Sequence, residues 1–485
     1  ESKDVPIVGV GESTLGGIRQ WTRLIGLDEE AFFAATDASY KLSIKFTDFY
    51  KKDFGSFHYP FGKPYLDENT NPFFEWHSKK FFYPNTETED FVRCLFPAAA
   101  LFENNKYALN TDGEYGNFNP ANDVAYHFDA IKFGKFLRDE YAIPNGVSHI
   151  VATVEHVEVS DQGIEYLLLD SGEKVSADLY IDCTGFKSLL LAQALKEPFT
   201  SWEGLLPNNR AWATQVQYID KEKELEGFTN CTAINNGWCW NIPMWTRIGT
   251  GYVYSDKFIS PEDAKEEFKQ YLMSDKMLIP RTREQVDSLV FKDIQIRTGI
   301  HERSFVKNCV AIGLSAGFIE PLESNGLYSV HEFLFYLVDV LQRGNVSQFD
   351  RDMYNVSIKD LFYGFAKFVT MHYSLSHRDD TPYWKSIYDR PFTDLEGQDP
   401  QGGLRSRTDA FWDLIWRYMQ NWSHPLGDGG ITYIATGHQL FMSNMSRYSR
   451  QLIPAGPNDP LYKIWELRKK QWGLAAKDAK TLKQY

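Results

Sequence analysis

Residues 235–245 read NNGWCWNIPMW, with Trp238 and Trp240 two apart and Ile242-Pro243 closing the run. In an extended chain the side chains at i and i+2 share a face. The spacing therefore predicts a strand whose two indoles form one aromatic surface, ended where Pro243 removes a ladder donor. Taken alone such a pair is core packing, because large aromatics are buried for their area. The rest of the chain decides whether the surface does more.

The chain has 485 residues, 43% of them hydrophobic, which suits two domains or one two-module body with a sizeable core. Aromatic residues make up 15%, favouring deep apolar cavities over a polar, disordered scaffold. A formal net charge of -14 argues against nucleic acid, whose binding rests on clustered Lys and Arg. Cys94, Cys183, Cys231, Cys239 and Cys309 are odd in number, scattered and never in a C-x-x-C pair. This pattern reads as a reducing, cytoplasmic setting without a metal site. No apolar run approaches the roughly 18 residues of a membrane helix.

Around the tryptophan pair the chain alternates between element types. HIVATVEHVEV, IEYLLLD and ADLYIDCTG, between residues 147 and 185, are short β-type runs separated by Asp161-Gln162-Gly163 and Asp170-Ser171-Gly172-Glu173 turns. Before them, YHFDAIKFGKFLRDEY carries Phe128, Ile131, Phe133 and Leu137 at helical spacing and stops near Pro144-Asn145-Gly146. In DASYKLSIKF, Tyr40, Leu42, Ile44 and Phe46 alternate with Lys41, Ser43 and Lys45, which predicts one strand with both lysines on its polar face. FIEPLESNG leads into LYSVHEFLFYLVDVL, whose Leu327, Val330, Leu334, Leu337 and Leu341 mark one helical face. The free N–H groups and positive dipole end at such a helix entrance attract anions. An ordinary N-cap by Ser324 or Asn325 is compatible with the same pattern. Residues 103–123 and 390–407 read as loops over a site, and the chain beyond 410 as mostly helical.

Near the start, Glu1 fits the acidic residue that bonds the adenosine ribose about 20 residues after a Gly-rich turn in dinucleotide-binding folds. The G-x-G-x-x-G itself is absent, so the sequence is expected to begin after a strand-turn-helix unit of roughly 30 residues.

Taken together GVGEST, YKLSIKF, YHFDA, IDCTGFKSLLLAQALKEPF, GWCWNIP, GLSAGFIEPLESNG and SHRDDTPYW resemble the flavin-dependent halogenases, particularly the tryptophan-halogenase branch. The likeness runs with gaps to about residue 385, and GWCWNIP fits that family's G-W-x-W-x-I-P motif. It implies an α/β fold: an FAD-binding, Rossmann-like module of the glutathione-reductase or hydroxylase type, fused to a mostly helical substrate module. The expected division is 1–195 and 296–345 for FAD and halide, and 196–295 and 346–485 for tunnel and substrate. It also implies a two-component enzyme. A separate reductase supplies FADH2 by diffusion, O2 adds to it, and a bound halide attacks the hydroperoxide to give hypohalous acid. The oxidant then passes through a tunnel to a small aromatic substrate.

The roles implied by the resemblance fall on particular residues. Lys41 matches the lysine that holds or carries the oxidised halogen, a task for a compact amine of adjustable pKa rather than a guanidinium; Lys45 is the surface alternative. Glu323 matches the second catalytic residue, which polarises the oxidant or takes the arenium proton, while Glu320 reads as structural. The halide is expected on the amides of Asn325 and Gly326. FAD contacts are expected at Glu1, Gly11, Ser13, Thr14, Asp182, Gly185, Gly313, Leu314, Gly326 and Leu327. Leu314 stands where many flavoprotein hydroxylases have Asp. Trp238, Trp240, Ile242 and Pro243 are expected to wall the tunnel, so that the arene stays away from the flavin.

Substrate contacts fall to His58, Tyr59 and Phe61. The region after Ala410 lacks a match for the family's second stacking tryptophan and amino-acid clamp, so an indole, a phenol or another electron-rich arene is expected rather than free tryptophan. Ser324-Asn325-Gly326 replaces Ser-Thr-Gly, which is expected to favour bromide or iodide over chloride. A homodimer is one assembly open to the chain. Two other readings are an aromatic hydroxylase, separated by halide dependence of product mass, and a catalytically silent flavin- or arene-binding protein, separated by the true N-terminus.

Overall fold

The structure, a computed structural model, describes residues 1–2, 11–62, 64–65, 76, 79–108, 118–390, 430–439 and 456–481. The expected loop at 390–407, apart from Arg390, and much of the chain beyond 410 lie outside the described residues. Within that stretch the helices Gly430–Gly437 and Pro460–Ala476 are described.

The tryptophan stretch is the strand Gly237–Pro243, inside a seven-stranded sheet. Its order is Lys292–Gln295, Arg210–Gln217, Arg247–Tyr254, Gly237–Pro243, Phe228–Ile234, Ser43–Thr47 and Ser56–Pro60. Neighbours are antiparallel except Phe228–Ile234 beside Ser43–Thr47, which run parallel. Strands from the first sixty residues thus share a sheet with strands from 210–295.

A second, three-stranded sheet places Ala125–Phe128 between Glu12–Ser13 and Ser39–Lys41. The expected single strand through Lys41 and Lys45 is therefore two strands. At Leu42 the chain changes sheets, its N–H donating to Gly227 O (2.8 Å) and its carbonyl accepting from Phe61 N (2.9 Å). That change of partner ends the alternation. Lys41 becomes fully buried, whereas Lys45 stays partly exposed with its ammonium 5.7 Å from the Phe228 ring.

The helix expected from Tyr126 begins later, at Ala130. Tyr126, His127 and Phe128 are spent on the strand, and the Asp129 carboxylate caps the helix by accepting from Ile131 N and Lys132 N. Between 147 and 185 the β-rich reading corresponds to Val154–Ser160, Gly163–Leu169, Lys174–Val175 and Tyr180–Asp182. The last of these runs parallel to Cys309–Ala311. Helix Gly326–Leu341 follows the expected turn, but its buried face is Ser329, His331, Phe333, Leu337 and Val340; Leu341 is exposed, because the neighbouring helix Gln348–Ser374 packs on a rotated stripe. Arg247 ties the assembly together, pairing with Asp37 (2.8 Å) and with Asp129. Removing one partner of such a buried pair costs about 3–5 kcal/mol. Among the described residues no helix is long and apolar enough to cross a membrane.

Candidate active site

Two features meet at the entrance of helix Gly326–Leu341. The short 3-10 turn Pro321–Glu323 ends at Ser324, which is left-handed (φ 58°), and Asn325 then leads into the helix. Lys41 reaches this turn from the three-stranded sheet, its Nζ donating to Ser324 Oγ and to Thr14 O, both at 2.8 Å. The ammonium also stands 5.0 Å from the centre of the Phe61 ring. Burial pushes its pKa down to about 7, against the opposing pull of Cys231, Glu323 and Glu12. In the neutral form two N–H bonds are engaged and the lone pair is left for a reaction.

Glu323 is buried, and burial raises its carboxyl pKa, with His372 and Lys41 opposing. Its Oε1 lies 2.7 Å from His372 Nε2, close but off the hydrogen-bond axis, so the contact is electrostatic. His372 sits on helix Gln348–Ser374 with Nδ1 3.3 Å from Phe368 O. A carbonyl only accepts, so Nδ1 carries a proton and Nε2 is the nitrogen that faces the carboxylate.

Tyr59 neighbours the same cluster. Its ring lies 6.2 Å from Phe61, 6.1 Å from Phe368 and 5.5 Å from Tyr433, and burial, helped by the Glu323 charge, raises its phenol pKa. The fold thus brings Lys41, Glu323, Tyr59 and Phe61 together. It does not bring His58, which corrects that expectation. Strand alternation turns His58 to the other face of the sheet, where it bonds Ser43 Oγ (3.0 Å) and stacks on Phe102 at 4.5 Å.

Trp238 and Trp240 share a face, their ring centres 6.1 Å apart. A Cβ on Gly251 would fall 2.2 Å from the Trp240 ring, so glycine there admits the indole. Trp238 is buried and its Nε1 donates to Glu320 Oε2 (3.2 Å), which also accepts from Asn208 (3.0 Å) and Tyr373 (2.5 Å). Ile242 is buried beside them, and the Pro243 carbonyl accepts from Ser39 Oγ at 2.5 Å.

The parallel pairing of Tyr180–Asp182 with Cys309–Ala311 sets Gly185 and Gly313 just beyond neighbouring strand ends, both with positive φ (69° and 68°). No atom lies within 4 Å of a Cβ built on Gly185. Positive φ and open space beyond parallel strand ends fit the close approach of FAD. Leu314 is partly buried in the turn after Gly313, and Leu327 in the first turn of its helix. The Asp182 carboxylate accepts from Thr184, Leu190 and Leu191 and so holds the loop. Ser13 and Thr14 likewise serve the Lys41 pocket: Ser13 Oγ meets Ser324 Oγ at 3.0 Å, and Thr14 supplies the carbonyl. Gly11 (φ 142°) packs against Met244, and the Glu1 carboxylate lies 2.9 Å from His149 Nε2.

Three groups escape a reading of the sequence. His372 lies inside the apolar run just before SHRDDTPYW, and Cys231 gives no signal. Glu12 stands in GVGEST; burial pushes its pKa up to about 7, and its Oε1 is 3.5 Å from a Cβ built on Gly326.

The family model described as tryptophan halogenase matches residues 1–398. The chain belongs to the tryptophan halogenase family. It is 33% identical over 414 residues to Tryptophan 6-halogenase SttH of Streptomyces toxytricini, spanning 81% of this chain and 76% of that one. It is 32% identical over 400 residues to Tryptophan 7-halogenase RebH of Lentzea aerocolonigenes, spanning 80% and 72%. Among solved structures the VirX1 apo structure superposes with a TM-score of 0.84 at 35% identity, over 99% of this chain and 92% of that one. The SttH crystal structure gives 0.81 at 28%, over 100% and 92%. As a member of this family the protein is a flavin-dependent halogenase that uses FADH2, O2 and halide; such enzymes work with a flavin reductase and act on small aromatic substrates.

Proposed function

We propose that this halogenase transfers halogen to an electron-rich arene, such as an indole or a phenol, through the amine of Lys41. The supporting observation is a buried lysine whose pKa falls to about 7 beside a glutamate without a well-formed hydrogen bond. Gly185 and Gly313 would hold reduced FAD, which with O2 and halide would supply the hypohalous acid. The amides of Asn325 and Gly326 hold the halide at the helix entrance. Trp238 and Trp240 wall the passage, keeping the arene from the flavin while a small oxidant passes.

Lys41 serves in either protonation state. As an ammonium it donates a hydrogen bond to hypohalous acid and polarises it. As an amine it attacks the halogen: an N–halogen bond forms, the oxygen–halogen bond breaks, and water leaves with a proton from the amine. The arene, stacked by Phe61 and Tyr59, then takes the halogen: a carbon–halogen bond forms, the nitrogen–halogen bond breaks, and the nitrogen regains a proton, balanced by the one the ring carbon loses. Glu323 accepts the proton from the ring carbon, a transfer favoured by its raised pKa.

The test is mass spectrometry of an arene panel incubated with the protein, reduced FAD, O2 and each halide in turn. Products carrying the supplied halogen are expected. Products heavier by one oxygen, whatever the halide, would make the protein an aromatic hydroxylase instead.

A further inference from the structure

A row of buried hydroxyls runs away from Lys41. Lys41 Nζ donates to Ser324 Oγ (2.8 Å), which donates to Ser13 Oγ (3.0 Å); Ser13 Oγ lies 2.5 Å from Thr229 Oγ1, and that atom 2.9 Å from His127 Nε2. All five side chains are more than nine-tenths buried and come from five separate segments. The direction of the row is fixed at its far end. His127 Nδ1 is 3.1 Å from the carbonyl of Pro243, which only accepts, so Nδ1 carries the ring proton. Burial and the Lys41 charge hold the His127 pKa well below its ordinary value, so Nε2 is an acceptor. Thr229 must then donate to His127, Ser13 to Thr229 and Ser324 to Ser13. Ser324 is left with one role toward Lys41, which is to accept.

We infer that His127 is a positioning residue for Lys41, acting through the one-way row of hydroxyls of Thr229, Ser13 and Ser324. The inference rests on the reading of Lys41 as the halogen carrier. With the row intact, Ser324 stabilises the ammonium, and in the neutral amine it occupies an N–H, so the lone pair points away from it. With the row broken, the Ser324 hydroxyl turns and donates into that lone pair, which stabilises the amine while occupying the electron pair that attacks the halogen. The other groups facing Lys41 are Glu12 and the Thr14 carbonyl from the first segment, Cys231 from the Phe228–Ile234 strand, Glu323 from the 3-10 turn, and the Phe61 ring. None of these joins the row.

The test follows the Lys41 ε-carbon by NMR through a pH titration of full-length protein labelled at lysine, with Lys41→Met identifying the signal. Thr229→Val removes one hydroxyl at nearly constant shape and is expected to lower the midpoint by about one pH unit. It should also cut arene halogenation about tenfold at pH 7 while flavin-dependent O2 consumption is unchanged. Thr229→Ser should restore both readings. Ser13→Ala interrupts the same row and replaces Thr229→Val if that variant does not fold. An unchanged midpoint in Thr229→Val, or in Ser13→Ala in its place, together with His127→Gln, overturns the inference. A midpoint that moves while halogenation holds supports the row and overturns the role of Lys41 as halogen carrier.

Discussion

Glu320 and Glu323 lie on one turn, both buried, and differ in what surrounds them. Glu320 accepts three hydrogen bonds through one oxygen, from Asn208, Trp238 and Tyr373, and so fastens the tryptophan strand to helix Gln348–Ser374. Glu323 has no well-formed hydrogen bond, and faces His372 and the charge of Lys41. A buried carboxylate left in that state costs folding free energy that a partner would recover. A structural role explains the first arrangement, and readiness to take a proton explains the second.

The contrast can be broken most severely at Glu323. Glu323→Gln should lower the rate of arene halogenation by about 100-fold or more, the scale of a lost general base, with folding stability nearly unchanged. Glu320→Ala should do the reverse. Three buried donors lose their acceptor, which costs about 2–4 kcal/mol in denaturant unfolding, while halogenation per folded molecule stays within about threefold. If Glu320→Ala silences chemistry in a stable protein, the two roles have been assigned the wrong way round.

Glu12 offers a gentler probe from the other side of the pocket. With its pKa pushed up to about 7, it is neutral below that pH and anionic above, close to Gly326, one of the two amides proposed to hold the halide. Apparent halide affinity should therefore fall as pH rises through 7, by up to about tenfold per unit, and Glu12→Gln should flatten the dependence. Smaller still is the effect expected at Asn325, whose buried Oδ1 lacks a donor. Equimolar halide competition should favour bromide or iodide over chloride, and Asn325→Thr should shift the ratio toward chloride. A product ratio that the substitution leaves alone removes residue 325 from halide choice.

Local patterns carried much of this into the sequence, and long-range pairing explains what they left out. The i and i+2 spacing of Trp238 and Trp240 gave their shared face, and the turn before the helix placed Glu323 and Ser324. Alternation put Lys41 and Lys45 on one strand because nothing local marks Leu42 as the point where the chain changes sheets. His58 sits one residue from Tyr59, and only the packing of Phe102 shows which of the two faces Phe61 and Glu323. His372 is an ordinary helix residue until the fold sets it beside a glutamate from another segment. Ser13 and Thr14 belong to a motif associated with the flavin, yet their bonds go to the lysine pocket.

The central claim is that the oxidant is made in one place and used in another, at Lys41. Lys41→Ala, supplied with reduced FAD, O2 and bromide, should release hypobromous acid to a chemical trap at close to the wild-type rate. Its brominated arene should fall by about 100-fold or more, while Lys45→Ala brominates normally. Regioselective bromination by Lys41→Ala at near the wild-type rate would contradict the claim.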